Sequence, residues 1–187
     1  MIYFARNGYS GTKISDLSKF IGIGQGTLYS YFPSKENLFK VIVNNATVEN
    51  ENKLLQLKRA PINAADKIMM LSINILEIIK EDTSFSYMFV LYIQYSMENN
   101  FNNSYTETNK QKPNQILSEI ILDGQKEETI VPGDTYELAD LYWSMVHIIA
   151  LKKVFDKNHE VFQAKQLARL LLKDEVINPI YNKENKK

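Results

Sequence analysis

The sequence predicts an all-α protein, and three observations predict it. Apolar residues recur at helical spacing through most of the chain, while strict alternation is scarce. Glycine and proline number only 7 and 5 in 187 residues. The breaks that can be read leave segments of helical length between them.

The elements follow in order. Gly8 and Gly11 are placed to end a first helix. Thr12 can cap a second with its hydroxyl, and Ile14, Leu17, Ser18 and Ile21 then face one way. Gly22 ends that helix within two turns. After a Gly22-Ile23-Gly24 connection, a short third helix starts near Gln25, with Leu28 and Phe32 as its buried face. Pro33 breaks it, and Ser34 caps a fourth helix from about Lys35 to Val48. Short helices thus fill residues 1–32 and longer ones 34–182. Ala60-Pro61 is placed to start the next. Its face of Ile68, Met69, Ser72, Ile75, Leu76 and Ile79 is apolar on more than one side, which predicts a central position. Residues 82–84 separate it from a helix facing inward through Met88, Phe89, Tyr92, Ile93 and Ser96. The Asn-rich stretch 98–104 reads as a loop or frayed end. Pro113 lies at, or kinks, the start of a helix faced by Ile116, Leu117, Ile120 and Ile121. Val131-Pro132-Gly133-Asp134 is a turn, with Asp134 and Glu137 at capping-box spacing. Tyr142, Trp143, Val146, Ile149 and Ala150 face one way in the helix that follows. Lys157-Asn158-His159 parts it from a last helix carrying Leu167, Ala168, Leu171 and Leu172. The last two helices are therefore expected near 135–157 and 160–181, with a frayed end at 182–187.

Composition narrows the function. Apolar residues make up 44% and charged residues 24%, as in an ordinary globular protein. Cysteine is absent, which removes disulfides, thiolate metal sites and a cysteine nucleophile and suits a reducing cytoplasm. No apolar run approaches the roughly 20 residues of a membrane span, and no signal-peptide pattern opens the chain. Net charge is zero, yet residues 1–47 carry +3 and the remainder −3, a weak pointer to an anionic partner for the head. No phosphate loop, nucleophile elbow or isolated Ser/His/Asp set is present, so no enzyme and no cofactor are expected. His147 and His159 lack the spacing of a helical metal pair; no metal is expected, and a satisfied or exposed His147 is the reading.

Residues 8–39 carry the specific signal. Two short helices joined by a Gly-containing turn make a helix-turn-helix. Its second helix turns Gln25, Thr27, Tyr29, Ser30 and Tyr31 outward, with little bulk at Gly26, a surface suited to base edges and phosphates. Lys35, at the start of the following helix, is placed for a phosphate. The segment closely resembles the DNA-binding module of the tetracycline-repressor (TetR) family. The resemblance rests on Gly8, Tyr9, Thr12, Ile14, Asp16, Leu17, Gly22, Ile23, Gly26, Leu28, Tyr29, Tyr31, Phe32, Lys35, Glu36 and Leu38.

That resemblance implies a protein of about nine helices. Residues 1–47 would form the helix-turn-helix domain and residues 48–187 a ligand-binding and dimerisation bundle. It implies that Thr12, Lys13, Gln25, Gly26, Thr27, Tyr29, Ser30, Tyr31 and Lys35 face DNA. Tyr29, Tyr31, Thr12 and Lys35 would meet phosphates, and Gln25 and Thr27 would read bases; packing of Tyr29 or Tyr31 on the fourth helix is the competing reading. A full first helix precedes the Gly-Tyr in the family, whereas only Met1 to Asn7 precede it here. The first helix is thus expected to be incomplete, exposing Leu17, Ile21 and Leu28.

For the body, the resemblance implies a homodimer joined through the last two long helices, a palindromic double-stranded DNA operator, and a small-molecule effector. Met69, Met88, Phe89, Tyr92, Tyr95, Ile121, Gln125, Tyr142, Trp143 and Val146 are the candidate pocket. They are large and soft with few polar tips, which points to an apolar or aromatic effector, although for each one packing in the core is the favoured reading. The reading is a ligand-responsive transcriptional regulator, a repressor. An activator of the same family, or a bundle that uses its cavity or makes protein contacts without binding DNA, are the alternatives.

Overall fold

The computed structural model describes residues 1–81, 86, 87, 89–91, 113–156 and 158–177, and the side chains of these except 44–50. Eight helices are named: α1 (Ile2–Gly11), α2 (Ile14–Ile21), α3 (Gln25–Tyr31), α4 (Lys35–Arg59), α5 (Ala64–Glu81), α6 (Pro113–Lys126), α7 (Thr135–Phe155) and α8 (Ala164–Ala168). Residues 86, 87, 89–91 and 174–177 are also helical. Among the described residues extended pairing is limited to one bridge, Ile130 with Leu172.

The boundaries have local causes. Gly8 sits at φ 71° and kinks α1, which resumes and ends at Gly11. Gly22 ends α2 in the left-handed region at φ 76°, a conformation glycine adopts without strain. Ser34 starts α4 by accepting from the Asn37 N–H at 3.0 Å. Asp134 starts α7 by accepting from the Tyr136 and Glu137 N–H groups. Two expected starts move. Thr12 does not cap α2; its hydroxyl turns back to donate to the Gly8 carbonyl at 2.7 Å. Pro61 lies in a turn, and α5 begins at Ala64 because the Asn63 side chain accepts from the Asp66 N–H. The Glu127 carboxylate also accepts from the Ala64 N–H there.

Two cores result. The larger gathers Leu54 of α4 with the inner faces of α5 to α8. α5 is central as expected, with Ile68, Met69, Leu71, Ser72, Ile75, Leu76 and Ile79 all buried. The smaller core joins Phe4, Ala5, Ile14, Leu17, Leu28, Leu38 and Phe39 of the head to Tyr87, Val90, Leu91 and Val154 of the body. Phe4, Tyr9 and Phe39 pack ring against ring within it, Phe4 and Tyr9 each about 5 Å from Phe39. This closes Leu17 and Leu28, which are 5% and 4% exposed, so the expected exposure of these two is corrected. Ile21 is exposed, at 47%.

The final helix is the largest departure. A helix over 160–181 is not formed within the described residues. Gln163 and Gln166 close a capping box that starts α8 only at Ala164, and the helix ends at Ala168. Beyond it the backbone turns outward to pair: the Val131 N–H donates to the Leu171 carbonyl, and the Lys173 N–H to the Thr129 carbonyl. These are groups a continuous helix would have used internally. Leu167, Ala168, Leu171 and Leu172 are buried all the same. A four-helix interface built from two long terminal helices therefore lacks its second long member in residues 158–177.

Residues 92–112 and 178–187 hold the expected loop at 98–104 and the frayed end; both lie outside the described residues, as do 82–84, Met88, Tyr92 and Tyr95. No helix among the described residues is long and apolar enough to cross a membrane.

Candidate nucleic-acid interface

The helix-turn-helix presents one face. On α3, Leu28 is buried, while Gln25, Gly26, Thr27, Tyr29, Ser30 and Tyr31 are exposed. Tyr31 is 75% exposed and Tyr29 43%, so neither ring is closed into the core. Ser30 donates its hydroxyl to the Thr27 carbonyl at 2.7 Å, which ties it to its own helix. The connection from α2 is tight: the Ile23 N–H bonds the Ser18 carbonyl and Gly22 bonds Lys19.

Beside α3 lies an open cleft of about 470 Å³, lined by Ser10, Thr12, Lys13, Ile14, Ser15, Gln25, Tyr29 and Lys35. Five of the nine expected DNA-facing residues thus meet around one concavity at the junction of α1, α2, α3 and α4. Its polar lining of hydroxyls, an amide and two ammonium groups matches the donors that position a phosphate backbone. Ser10 and Ser15 were not foreseen. Their only signal was position, as hydroxyl residues flanking the start of α2.

Two members of the expected set have other work. The Thr12 side chain is 1% exposed, and its hydroxyl is bonded to Gly8, so it does not present a donor to the cleft. Thr12 is corrected from a phosphate contact to a buried junction residue. Lys35 donates from Nζ to the Tyr9 carbonyl at 2.9 Å and the Thr12 carbonyl at 3.0 Å, and lies 4.4 Å from the centre of the Tyr9 ring. Its ammonium latches the end of α1 to the start of α4, with its charge held at the cleft.

The expected pocket residues divide. Met69, Ile121, Tyr142 and Val146 are closed into the larger core, all at most 5% exposed. The Tyr142 hydroxyl shares a hydrogen bond of 3.0 Å with the Ser72 hydroxyl, and burial pushes its pKa well above the ordinary phenol value. Gln125 is corrected: its amide donates to the Val131 and Gly133 carbonyls, so it clamps the turn before α7 and supplies no free polar tip. Phe89 and Trp143 do come together, ring centres 6.1 Å apart, and His147 joins them at 6.0 Å from Phe89. His147 is a neighbour of this pair that sequence reading left out of the candidate set. It stands one turn after Trp143, and its Nδ1 is buried without a partner rather than satisfied. Burial lowers its pKa from 6.5. Among the described residues, no group of three or more acidic or histidine side chains is placed to hold a metal ion.

Comparison with known proteins agrees with this geometry. Residues 2–42 match the family model of the N-terminal module of bacterial regulatory proteins of the tetR family. Among solved structures, a TetR-family transcriptional regulator from Agrobacterium tumefaciens superposes with a TM-score of 0.63 at 14% identity, covering 97% of this chain and 91% of its own. AibR in complex with isovaleryl coenzyme A and operator DNA gives 0.64 at 16% identity, over 89% and 88%. Reduced NemR of E. coli gives 0.60 at 17% identity, over 89% and 88%. No curated protein matches the sequence. Residues 2–42 thus carry the signature of the N-terminal module of tetR-family regulators, and the fold of solved TetR-family structures is shared along nearly the whole chain.

Proposed function

We propose that this chain is a ligand-responsive repressor that binds a palindromic operator as a homodimer and is released by a small, largely apolar effector. The observation that carries the reading is the exposed face of α3 beside a cleft lined by Lys13, Ser15, Gln25, Tyr29 and Lys35. In this reading Gln25 and Thr27 meet base edges. Tyr29, Tyr31, Lys13, Ser10 and Ser15 hold phosphates, and Lys35 fixes the junction that aligns them. Residues 1–47 act as the DNA-binding part and 48–187 as the sensing and dimerising part.

The stretch 86–91 supports the coupling between them. Tyr87, Val90 and Leu91 belong to the core shared with the head, and Tyr87 accepts a hydrogen bond from Arg6 at 3.1 Å. Phe89, on the same short stretch, packs against the body core. An effector displacing Phe89 would move the seat of the head, by no more than its preference for the displaced state allows. The AibR complex holds an acyl thioester and operator DNA together, a precedent for both partners in one fold.

Dimerisation is supported by α7. Leu141, Ile148 and Phe155 recur every seven residues along it, 49%, 46% and 67% exposed. Such a stripe is a seam for a second helix.

The test is fluorescence anisotropy with the DNA upstream of the gene against a scrambled duplex, at two salt concentrations. Specific binding that weakens with salt is expected. Gln25→Ala should reduce the preference for specific over scrambled DNA by about 1–3 kcal/mol; an equal loss on both duplexes would remove Gln25 as a base reader.

A further inference from the structure

Buried polar side-chain atoms are nearly always hydrogen-bonded. The structure leaves three of them without a partner on two helical stretches that meet at Phe89. Trp143 Nε1 and His147 Nδ1 stand one turn apart on α7. Both side chains lie against Phe89. Ser86 Oγ, also unpartnered, belongs to a residue fully closed to solvent and sits one turn before Phe89. An indole N–H is a donor only, and an imidazole and a hydroxyl can each give or take a hydrogen bond. The group that completes Trp143 must therefore offer it a hydrogen-bond acceptor, which a carbonyl oxygen with its two lone pairs supplies. Burial disfavours the charged form of His147, so the cluster brings no counter-charge for a carboxylate, whose burial unpaired is costly.

We propose that Ser86, Trp143 and His147 form the polar end of the effector site around Phe89, and that the effector is an uncharged molecule with a carbonyl-type oxygen on an apolar, flat body. This rests on the ligand-responsive reading above and narrows its effector from apolar to apolar with one accepting oxygen. Ketones, amides, esters and thioesters fit; hydrocarbons, ammonium compounds and free acids do not.

Trp143 is the only tryptophan of the chain, so its indole N–H gives a single side-chain signal in a ¹H–¹⁵N spectrum of the whole protein. The probes are acetophenone, its oxygen-free counterpart ethylbenzene, and benzoate. Acetophenone should move the indole signal saturably and downfield, and ethylbenzene and benzoate should bind more weakly. His147→Leu should weaken acetophenone by about threefold to tenfold, while His147→Asn, which keeps a polar atom near the Nδ1 position, should recover most of it. The proposal is overturned if acetophenone gives no saturable shift, or if ethylbenzene binds as tightly. It is also overturned if the indole N–H of the free protein already shows contact with bound water that acetophenone fails to displace. The titration contains no DNA, so its failure leaves the operator measurement standing, and a failed operator measurement leaves the titration readable.

Discussion

Lys35 shows how a residue in a recognised motif can hold a different place from the one its position advertises. A lysine at a helix start beside a recognition helix reads as a phosphate ligand, yet two of its three donors are given to the carbonyls of Tyr9 and Thr12. Removing it in Lys35→Ala should destabilise the protein by about 1–3 kcal/mol, read as a lower urea midpoint with an unchanged slope. Thr12 was misread for the same reason. Threonine before a helix looks like a cap, but the kink at Gly8 brings a carbonyl within reach of its hydroxyl, and that contact wins. His147 was missed because burial without a partner is a tertiary property that spacing does not record. Its lowered pKa has a pH consequence. Below the ordinary value of 6.5 the unfolded chain takes up a proton that the folded chain resists, so stability should fall as pH drops from 6.5 toward the folded pKa. Thermal unfolding midpoints between pH 7.5 and 5.5 check this; His147→Gln should reduce the fall.

At the scale of elements, periodicity served best where one face is buried by other helices. The inner faces of α5 and α6 follow the sequence pattern residue by residue, because a 3.6-residue repeat has one structural meaning once the helix is long. The pattern failed after Ala168. Leu167, Ala168, Leu171 and Leu172 have helical spacing and are all buried, yet the last pair is buried by a turn and a bridge to Ile130. Burial alone did not distinguish the two geometries. Ile130 also packs closely on Gly124, where an added Cβ would run into the Ile130 side chain and lie 2.9 Å from Ala64 Cβ. Gly124→Ala should therefore destabilise by about 1–3 kcal/mol through overpacking, measured by denaturant unfolding. The same variant should leave the indole signal of Trp143 near its wild-type position if the damage stays at that end of the bundle.

For the whole molecule, the exposed face of α3 was legible because a helix-turn-helix is a local motif, set within about 30 residues. The proposed sensing end was not, because it depends on how α7 meets residues 86, 87 and 89–91. Association lies between: the seven-residue stripe on α7 is in the sequence, but only its exposure separates it from the buried stripe of Tyr142, Val146 and Ile149. Ile148→Glu places a charge at the centre of the exposed stripe. If the proposed dimer uses this stripe, the variant should weaken self-association at least about tenfold, seen by light scattering as a lower mass than the parent at equal concentration, with helix content unchanged. An undiminished dimer would move the interface elsewhere.

The smaller core has a practical consequence. Its head residues are walled by Tyr87, Val90, Leu91 and Val154, and α4 crosses residue 47 without a break. A head cut out at that point would leave with half a wall missing, and a foreign head grafted onto this body would meet side chains shaped for another. On the proposed DNA-binding role, changing recognition specificity is therefore a matter of rewriting the outward positions of α3 in place, rather than of exchanging modules.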